Sequence, residues 1–249
     1  MNIKSNYIKP KFKKESNPKV GLLALSTDLT IERDFNSICQ KLPLDIFVNR
    51  IHNENPLTKE NLLKMYDQIE LITEKILPGE KISTIAYACT SGTIAIGEDK
   101  VKEKIQLAKP GCQVTTPITS AIKAFKKMNI KKIAVFTPYP EPVNNTISEY
   151  LIKKNINVTS FSTFNLDLDV DFARIDPKYL SEILIKLNIK DADALFVSCT
   201  ALPALEIIDG VESKINKPVF SSNQTLIWDT LRSVGYKNSI KGYGKLLRN

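Results

Sequence analysis

Short apolar runs alternate with helix-period segments along the whole 249-residue chain, and the alternation repeats itself. Such a pattern belongs to parallel strands joined by crossover helices. In the first half, 20–25, 44–48, 82–88 and 114–116 read as strands, with helices over 31–41, 58–77 and 94–107. In the second, strands fall at 133–136, 158–161, 194–198 and 219–221, with helices over 141–154, 177–187, 201–215 and 224–234. A helix over 118–128 bridges the halves. Corresponding strand ends lie about 110 residues apart. Ser26-Thr27-Asp28 matches Thr137-Pro138-Tyr139, Cys89-Thr90 matches Cys199-Thr200, and Thr115-Thr116-Pro117 matches Ser221-Ser222-Asn223. The pattern predicts an α/β chain of two pseudo-symmetric four-stranded parallel-sheet lobes. Residues 19–117 with 224–249 form the first lobe, 118–223 the second, and 1–18 a flexible basic arm. Parallel sheets gather ligands at the carboxyl ends of their strands, so two facing sheets enclose one cleft lined by these polar ends.

Charge and cysteine content narrow the function classes. The net charge of +8 and pI near 9.1 raise the question of nucleic acid. The excess sits at the ends, however. Lys4, Lys9, Lys11, Lys13, Lys14 and Lys19 are opposed there only by Glu15, and Lys237, Lys241, Lys245 and Arg248 by no acid. The body is close to balanced, so no nucleic-acid partner is expected, although basic ends draw small anions toward a molecule. No run approaches the roughly 20 apolar residues that span a bilayer, and the polar start lacks a signal-peptide core. No membrane association is expected, and a cytoplasmic protein is the default. Cys39, Cys89, Cys112 and Cys199 are then expected to be reduced, and none forms a closely spaced pair. The single histidine, His52, cannot build a multi-histidine metal site or readily support a serine–histidine triad, and it reads as surface or packing. A homo-oligomer is compatible with the sequence, with 10–18 available to reach a neighbour.

The paired cysteines carry the chemistry. Cys89 and Cys199 each end an apolar strand and each precede a threonine. Two thiols facing one substrate from opposite sides can take a proton from one face and return it on the other, which points to an isomerase or racemase. Each lies where a strand gives way to a helix, a position that lowers a thiol pKa from about 8.5. Cys39 and Cys112 have no matching context and read as packing residues.

Five motifs in order give the chain a resemblance. They are 21–32 with its Ser26-Thr27-Asp28, the turn Cys89-Thr90-Ser91-Gly92, and Thr137-Pro138-Tyr139. Ser198-Cys199-Thr200-Ala201-Leu202 and Ser221-Ser222-Asn223-Gln224 followed by Trp228 complete the set. From about 20 to 235 the chain resembles the aspartate/glutamate racemase superfamily. Within it, the likeness is to the branch of maleate cis–trans isomerases, arylmalonate decarboxylases and ectoine-utilisation (EutA-type) proteins, and it looks closest to the last. The resemblance implies two α/β lobes with the site between them, a small carboxylate substrate, and no metal or organic cofactor. It implies that one thiolate acts as base or nucleophile while the other thiol delivers a proton. Decarboxylases of the branch generally lack the first cysteine, so Cys89 argues against decarboxylation.

The remaining roles follow the same resemblance. Thr90, Ser91, Tyr139 and Thr200 would offer hydroxyls and backbone N–H groups to an enediolate, though Thr90, Ser91 and Thr200 also suit ordinary helix capping. Asn223 is a secondary contact. Asn165, Asp167 and Asp169 lie near another binding segment without a secure alignment. Asp28 stands where maleate isomerases are expected to carry an amide. A carboxylate there repels a second substrate carboxylate and suits a cation such as the ectoine amidinium, unless Asp28 merely caps a turn before Glu32. The expected function is therefore a cofactor-independent isomerase or racemase in ectoine or hydroxyectoine breakdown. Maleate cis–trans isomerisation, arylmalonate-type decarboxylation and non-catalytic metabolite binding stand as alternatives.

Overall fold

A computed structural model describes residues 5–12 and 17–249. Of the expected basic arm, 1–4 and 13–16 lie outside the described residues, while 5–12 are exposed and carry no helix or strand. The first half contains strands β1 (Lys19–Leu25), β2 (Asp45–Ile51), β3 (Thr84–Tyr87) and β4 (Gln113–Thr115). Its helices are α1 (Ile31–Cys39), α2 (Lys59–Lys64), α3 (Tyr66–Glu74), α4 (Thr90–Ile96) and α5 (Glu98–Ala108). Helix α6 (Pro117–Lys127) leads to β5 (Lys132–Thr137), α7 (Glu141–Lys153), β6 (Asn157–Thr163), α8 (Asp169–Ala173) and α9 (Pro177–Lys186). The chain ends with β7 (Ala194–Val197), α10 (Ile208–Ile215), β8 (Val219–Ser221), α11 (Ser222–Ser233) and α12 (Lys245–Arg248).

Both sheets are wholly parallel and repeat one order, β2-β1-β3-β4 and β6-β5-β7-β8. The two expected lobes are thus present. Their central strands are apolar because both faces are covered: every residue of β3 and of β7 is buried. The strands β2 and β6, each at a sheet edge, are only half-buried.

The lobes are locked by an exchange of helices. Helix α6 follows the first sheet, yet its Phe125 packs edge-on against Phe196 of β7 and Phe220 of β8, with centroids 5.5 and 5.1 Å away. Helix α11 follows the second sheet, yet Thr230 bonds Thr115 at the end of β4 (2.9 Å) and Ser233 bonds Thr84 of β3 (2.7 Å). These two helices also pack on each other, forming the seam between the lobes.

Three expected helices differ. The helix predicted over 58–77 divides at Met65 into α2 and α3. That predicted over 94–107 begins earlier, at Thr90, and breaks at Gly97, whose φ of 102° is open to glycine. The one predicted over 201–215 loses its first turn, and only a 3-10 turn (Leu205–Ile207) precedes α10. Pro203 accounts for this, since it bars helical geometry in the residue before it. Among the described residues no helix is long and apolar enough to cross a membrane, and no group of His, Cys, Asp and Glu could hold a metal.

Candidate active site

The first thiol is placed by a strand-to-helix turn. Cys89 is extended (φ −141°, ψ 114°) and caps α4, its Sγ accepting the Gly92 N–H at 3.2 Å with the Ser91 hydroxyl 3.8 Å away. Thr93 donates its hydroxyl to the Cys89 carbonyl at 2.6 Å, fixing the turn. Gly92 is required by space: a Cβ there would lie 2.8 Å from Cys89 Sγ and 2.7 Å from the Met65 methyl.

The second thiol sits in a different local structure. Cys199 follows β7, but the run Thr200–Ala204 that succeeds it is not helical. Threonines next to each thiol join the halves. The Thr200 hydroxyl donates to the Ala88 carbonyl (3.2 Å), and the Thr90 hydroxyl bonds that of Ser222 (2.9 Å). Asn223 donates its amide to the Thr200 carbonyl at 2.8 Å and to Asp34 Oδ2 at 2.7 Å. Thr90, Thr200 and Asn223, expected to meet substrate, also brace the structure through these bonds, which hold the lobes and the Cys199 turn together. The first N–H groups of α4, on Thr90 and Ser91, have no preceding helical carbonyl and keep anion-binding character.

Tyr139, Asp28 and Asp169 connect the two thiols, because each is within electrostatic reach of both Cys89 and Cys199. Tyr139 is buried, its ring edge-on to Phe172 at 5.7 Å, and it acts on the Cys199 thiol to oppose the rise that burial causes. The stiff turn between Pro138 and Pro140 therefore turns this side chain inward. Asp28 divides its two oxygens: Oδ1 accepts the N–H groups of Thr30 (2.7 Å) and Ile31 (2.9 Å), capping α1, while Oδ2 is buried without a partner.

Asp169, placed by the sequence only near a binding segment and given no role there, is buried at the site. It is 4% exposed, and its Oδ2 accepts the Asn53 amide at 2.6 Å and the Thr27 hydroxyl at 3.3 Å. The loops that follow the two equivalent edge strands meet here. Leu57 donates its N–H to the Asp167 carbonyl (2.9 Å) and Asp169 donates its own to Asn55 Oδ1 (3.3 Å). Asp167 and Asn165 themselves are exposed, as is His52. The signal for Asp169 was its position just beyond the second edge strand, opposite the loop holding Asn53.

Electrostatics overturns one expectation. Burial pushes the Cys89 thiol up to about 12, with Asp169 and Asp28 adding to the shift and the Gly92 N–H and Ser91 opposing it. Burial drives Cys199 well above the usual range, with Tyr139 and the Ala201 N–H opposing the shift. Desolvation outweighs the helix terminus, so both thiols are protonated at neutral pH in this closed form. Burial also raises Asp28, and it raises Asp169 to about 6 with help from Asp28. Cys39 and Cys112 are buried, free and outside these contacts. A groove of about 600 Å³ follows the seam beside Tyr139, lined by Pro56, Leu57 and Leu62 from one half and Pro140 and Val143 from the other.

The two parallel-sheet lobes, with a thiol at the end of the third strand of each, define the class: an isomerase. Within it, the chain belongs to the arylmalonate decarboxylase family, whose profile matches residues 70–247. It is similar to a maleate isomerase of Geobacillus stearothermophilus, at 26% identity over 92% of this chain and 96% of that one. It is similar also to the arylmalonate decarboxylase of Bordetella bronchiseptica, at 26% identity over 55% of this chain and 58% of that one. A maleate cis–trans isomerase of Nocardia farcinica, solved as a cysteine-to-serine variant with a covalently bound succinylcysteine intermediate, shares the fold. Its TM-score is 0.85 at 20% identity, covering 93% of this chain and 98% of that one. These relatives place the chain in the isomerase–decarboxylase branch and show no particular closeness to ectoine-utilisation proteins.

Proposed function

We propose that the chain isomerises a small cis-unsaturated carboxylate to its trans form by reversible addition of a cysteine thiolate. The observation that carries this reading is that the two cysteine turns meet: Thr200, next to Cys199, donates its hydroxyl to the carbonyl of Ala88, next to Cys89, at 3.2 Å. The likeness to a maleate isomerase over nearly the full chain supports it over the ectoine-directed reading. Cys89 argues against decarboxylation.

Cys89 suits the nucleophile, since its sulfur already accepts the Gly92 N–H at the start of α4. Its thiolate adds to one alkene carbon, forming a C–S bond as the π pair moves to the neighbouring carbon. The adjacent carboxylate spreads that charge, and the α4 N–H groups of Thr90 and Ser91 receive it. Cys199 delivers its thiol proton to the carbanion and becomes the thiolate. Rotation about the resulting single bond follows. Cys199 then removes the proton again, the C–S bond breaks, and the trans alkene leaves with Cys89 restored as thiolate. Electrons and protons balance without a redox partner. Tyr139 supports the Cys199 thiolate, while Thr200 and Asn223 hold its turn. Because burial keeps Cys89 protonated when closed, its proton leaves while the seam is open to water.

Proton NMR of the vinyl signals of maleate, and of its monoamide maleamate, tests the reaction directly. Appearance of the trans signals with wild type, and their absence with Cys89→Ser, is the expected result. No conversion of either compound would remove this reading.

A further inference from the structure

The charges that surround the thiols are one-sided. Asp28 and Asp169, 1% and 4% exposed, both act on both sulfurs, and among the described residues neither forms an ion pair. The other groups that act on the thiols are Tyr139, Ser91 and the N–H groups of Gly92 and Ala201, none of them cationic. Arg50 approaches Asp28 only from the backbone side. Its Nη1 donates to the carbonyls of Leu25 (3.1 Å), Ser26 (3.2 Å) and Asp28 (2.9 Å), and its charge is paired with Glu32 at 2.8 Å.

Each aspartate is also half-used. Asp28 spends Oδ1 on the start of α1 and leaves Oδ2 buried without a partner; the adjacent Thr200 hydroxyl donates to the Ala88 carbonyl instead. Asp169 spends Oδ2 on Asn53 and Thr27, and among the described residues no donor bonds its Oδ1. A buried acceptor left unpaired, as Asp28 Oδ2 is, is costly, and the cost is recovered when a ligand supplies the donor. A second carboxylate brought into the same place would add like charge in a medium that screens it poorly.

We propose that Asp28 and Asp169 form a donor-reading subsite, so that the substrate is a small carboxylate whose far end carries an N–H-bearing amide or cationic nitrogen group rather than a second carboxylate. This rests on the thiol-addition reading for where the substrate sits. One end, the carboxylate, lies away from both aspartates, as like charge requires. The other end gives its N–H groups to the free aspartate oxygens, which fixes the alkene between Cys89 and Cys199. The subsite selects against dicarboxylates in the way that buried, unsatisfied groups reject a ligand lacking their partner.

Calorimetric titration at pH 8 with two unreactive saturated ligands, succinate and its monoamide succinamate, tests the subsite without requiring catalysis. Succinamate is expected to bind wild type at least about tenfold more tightly than succinate. Asp28→Asn and Asp169→Asn keep the acceptor oxygens that cap α1 and meet Asn53, and circular dichroism checks that they fold. Each is expected to narrow the preference, and the double variant to reverse it. Equal or tighter binding of succinate to wild type overturns the proposal. So does a preference unmoved by both substitutions, or the absence of measurable binding by either ligand. Tight succinamate binding without conversion of maleate or maleamate would instead remove the proposed reaction and leave the subsite standing.

Discussion

The two halves of this molecule repeat a frame and differ in what they hang on it. Both use one strand order, both end the third strand in Cys-Thr, and both send that threonine's hydroxyl across the seam. Cys89, however, opens a helix and its sulfur accepts the Gly92 N–H at 3.2 Å, whereas Pro203 denies Cys199 a helix, and Tyr139 and the Ala201 N–H act on its sulfur instead. Opposite each thiol the equivalent first-strand ends carry Asp28 in one half and Tyr139 in the other. The repeated frame thus sets the two thiols at equivalent strand ends, and the turns that follow them differ, one helical and the other not. In the proposed reaction that difference suits one sulfur to attack and the other to hold a proton.

The largest effect that could break this division comes from the cysteines themselves. Cys89→Ser and Cys199→Ser are each expected to lower kcat/KM by about 10³-fold or more, because each removes an obligatory proton or bond partner. The two variants should part in mass spectrometry after incubation with maleamate. Cys199→Ser should accumulate a covalent adduct on Cys89, and Cys89→Ser should form none. An adduct on Cys199 in the Cys89→Ser protein would exchange the two roles.

Gly92→Ala sharpens the same point on the first half alone. The added methyl would stand 2.8 Å from Cys89 Sγ and 3.0 Å from the Tyr87 hydroxyl, so the sulfur must move from its place at the helix start. A loss of about 10²-fold in kcat is expected, since small displacements of a reacting atom are expensive. Full activity with a folded Gly92→Ala protein would mean that the position of Sγ seen here is not the reactive one. On the second half, Tyr139→Phe keeps the packing on Phe172 and removes only the hydroxyl facing Cys199. One hydrogen bond to a charged sulfur is at stake, so a fall of about tenfold in kcat is expected, with KM little changed.

These residues also show where sequence reasoning reached and where it stopped. The apolar period located all eight strands, because buried parallel strands must be nearly continuous in hydrophobicity. Cys89 and Cys199 were visible because a repeat aligns strand ends, and ligands gather there. Asp169 could be named near a binding segment but not separated from Asn165 and Asp167, since its inward direction is set by Asn53 and Thr27, 116 and 142 residues away in the chain. The pairing of Thr90 with Ser222 and the bracing role of Asn223 were hidden for the same reason: both depend on how one lobe docks on the other. The raised thiol pKa values follow from complete enclosure, which no local motif records.

The smallest effect is one of stability, and it extends the comparison of buried acids from the thiols to the brace behind them. Asp34 is buried, bonded to the Asn223 amide at 2.7 Å with Arg33 at 3.6 Å, and burial raises it from 3.8 to about 7. Asp169 is raised from 3.8 to about 6. Between the unfolded and folded values the native state binds more protons than the unfolded chain, so stability falls as pH rises through that window. Cooling of this trend is expected above about 7, where Asp34 has ionised in both states. The carboxylates with lowered values, Glu80, Glu98 and Asp193, oppose the trend only in more acid solution, because their ordinary values of 4.5 and 3.8 already lie below it. The melting temperature should therefore rise from pH 8 to pH 5, with Asp34→Asn flattening the part above about 6 and leaving the part owed to Asp169. Parallel curves for wild type and Asp34→Asn would show that the brace behind Cys199 does not titrate with folding.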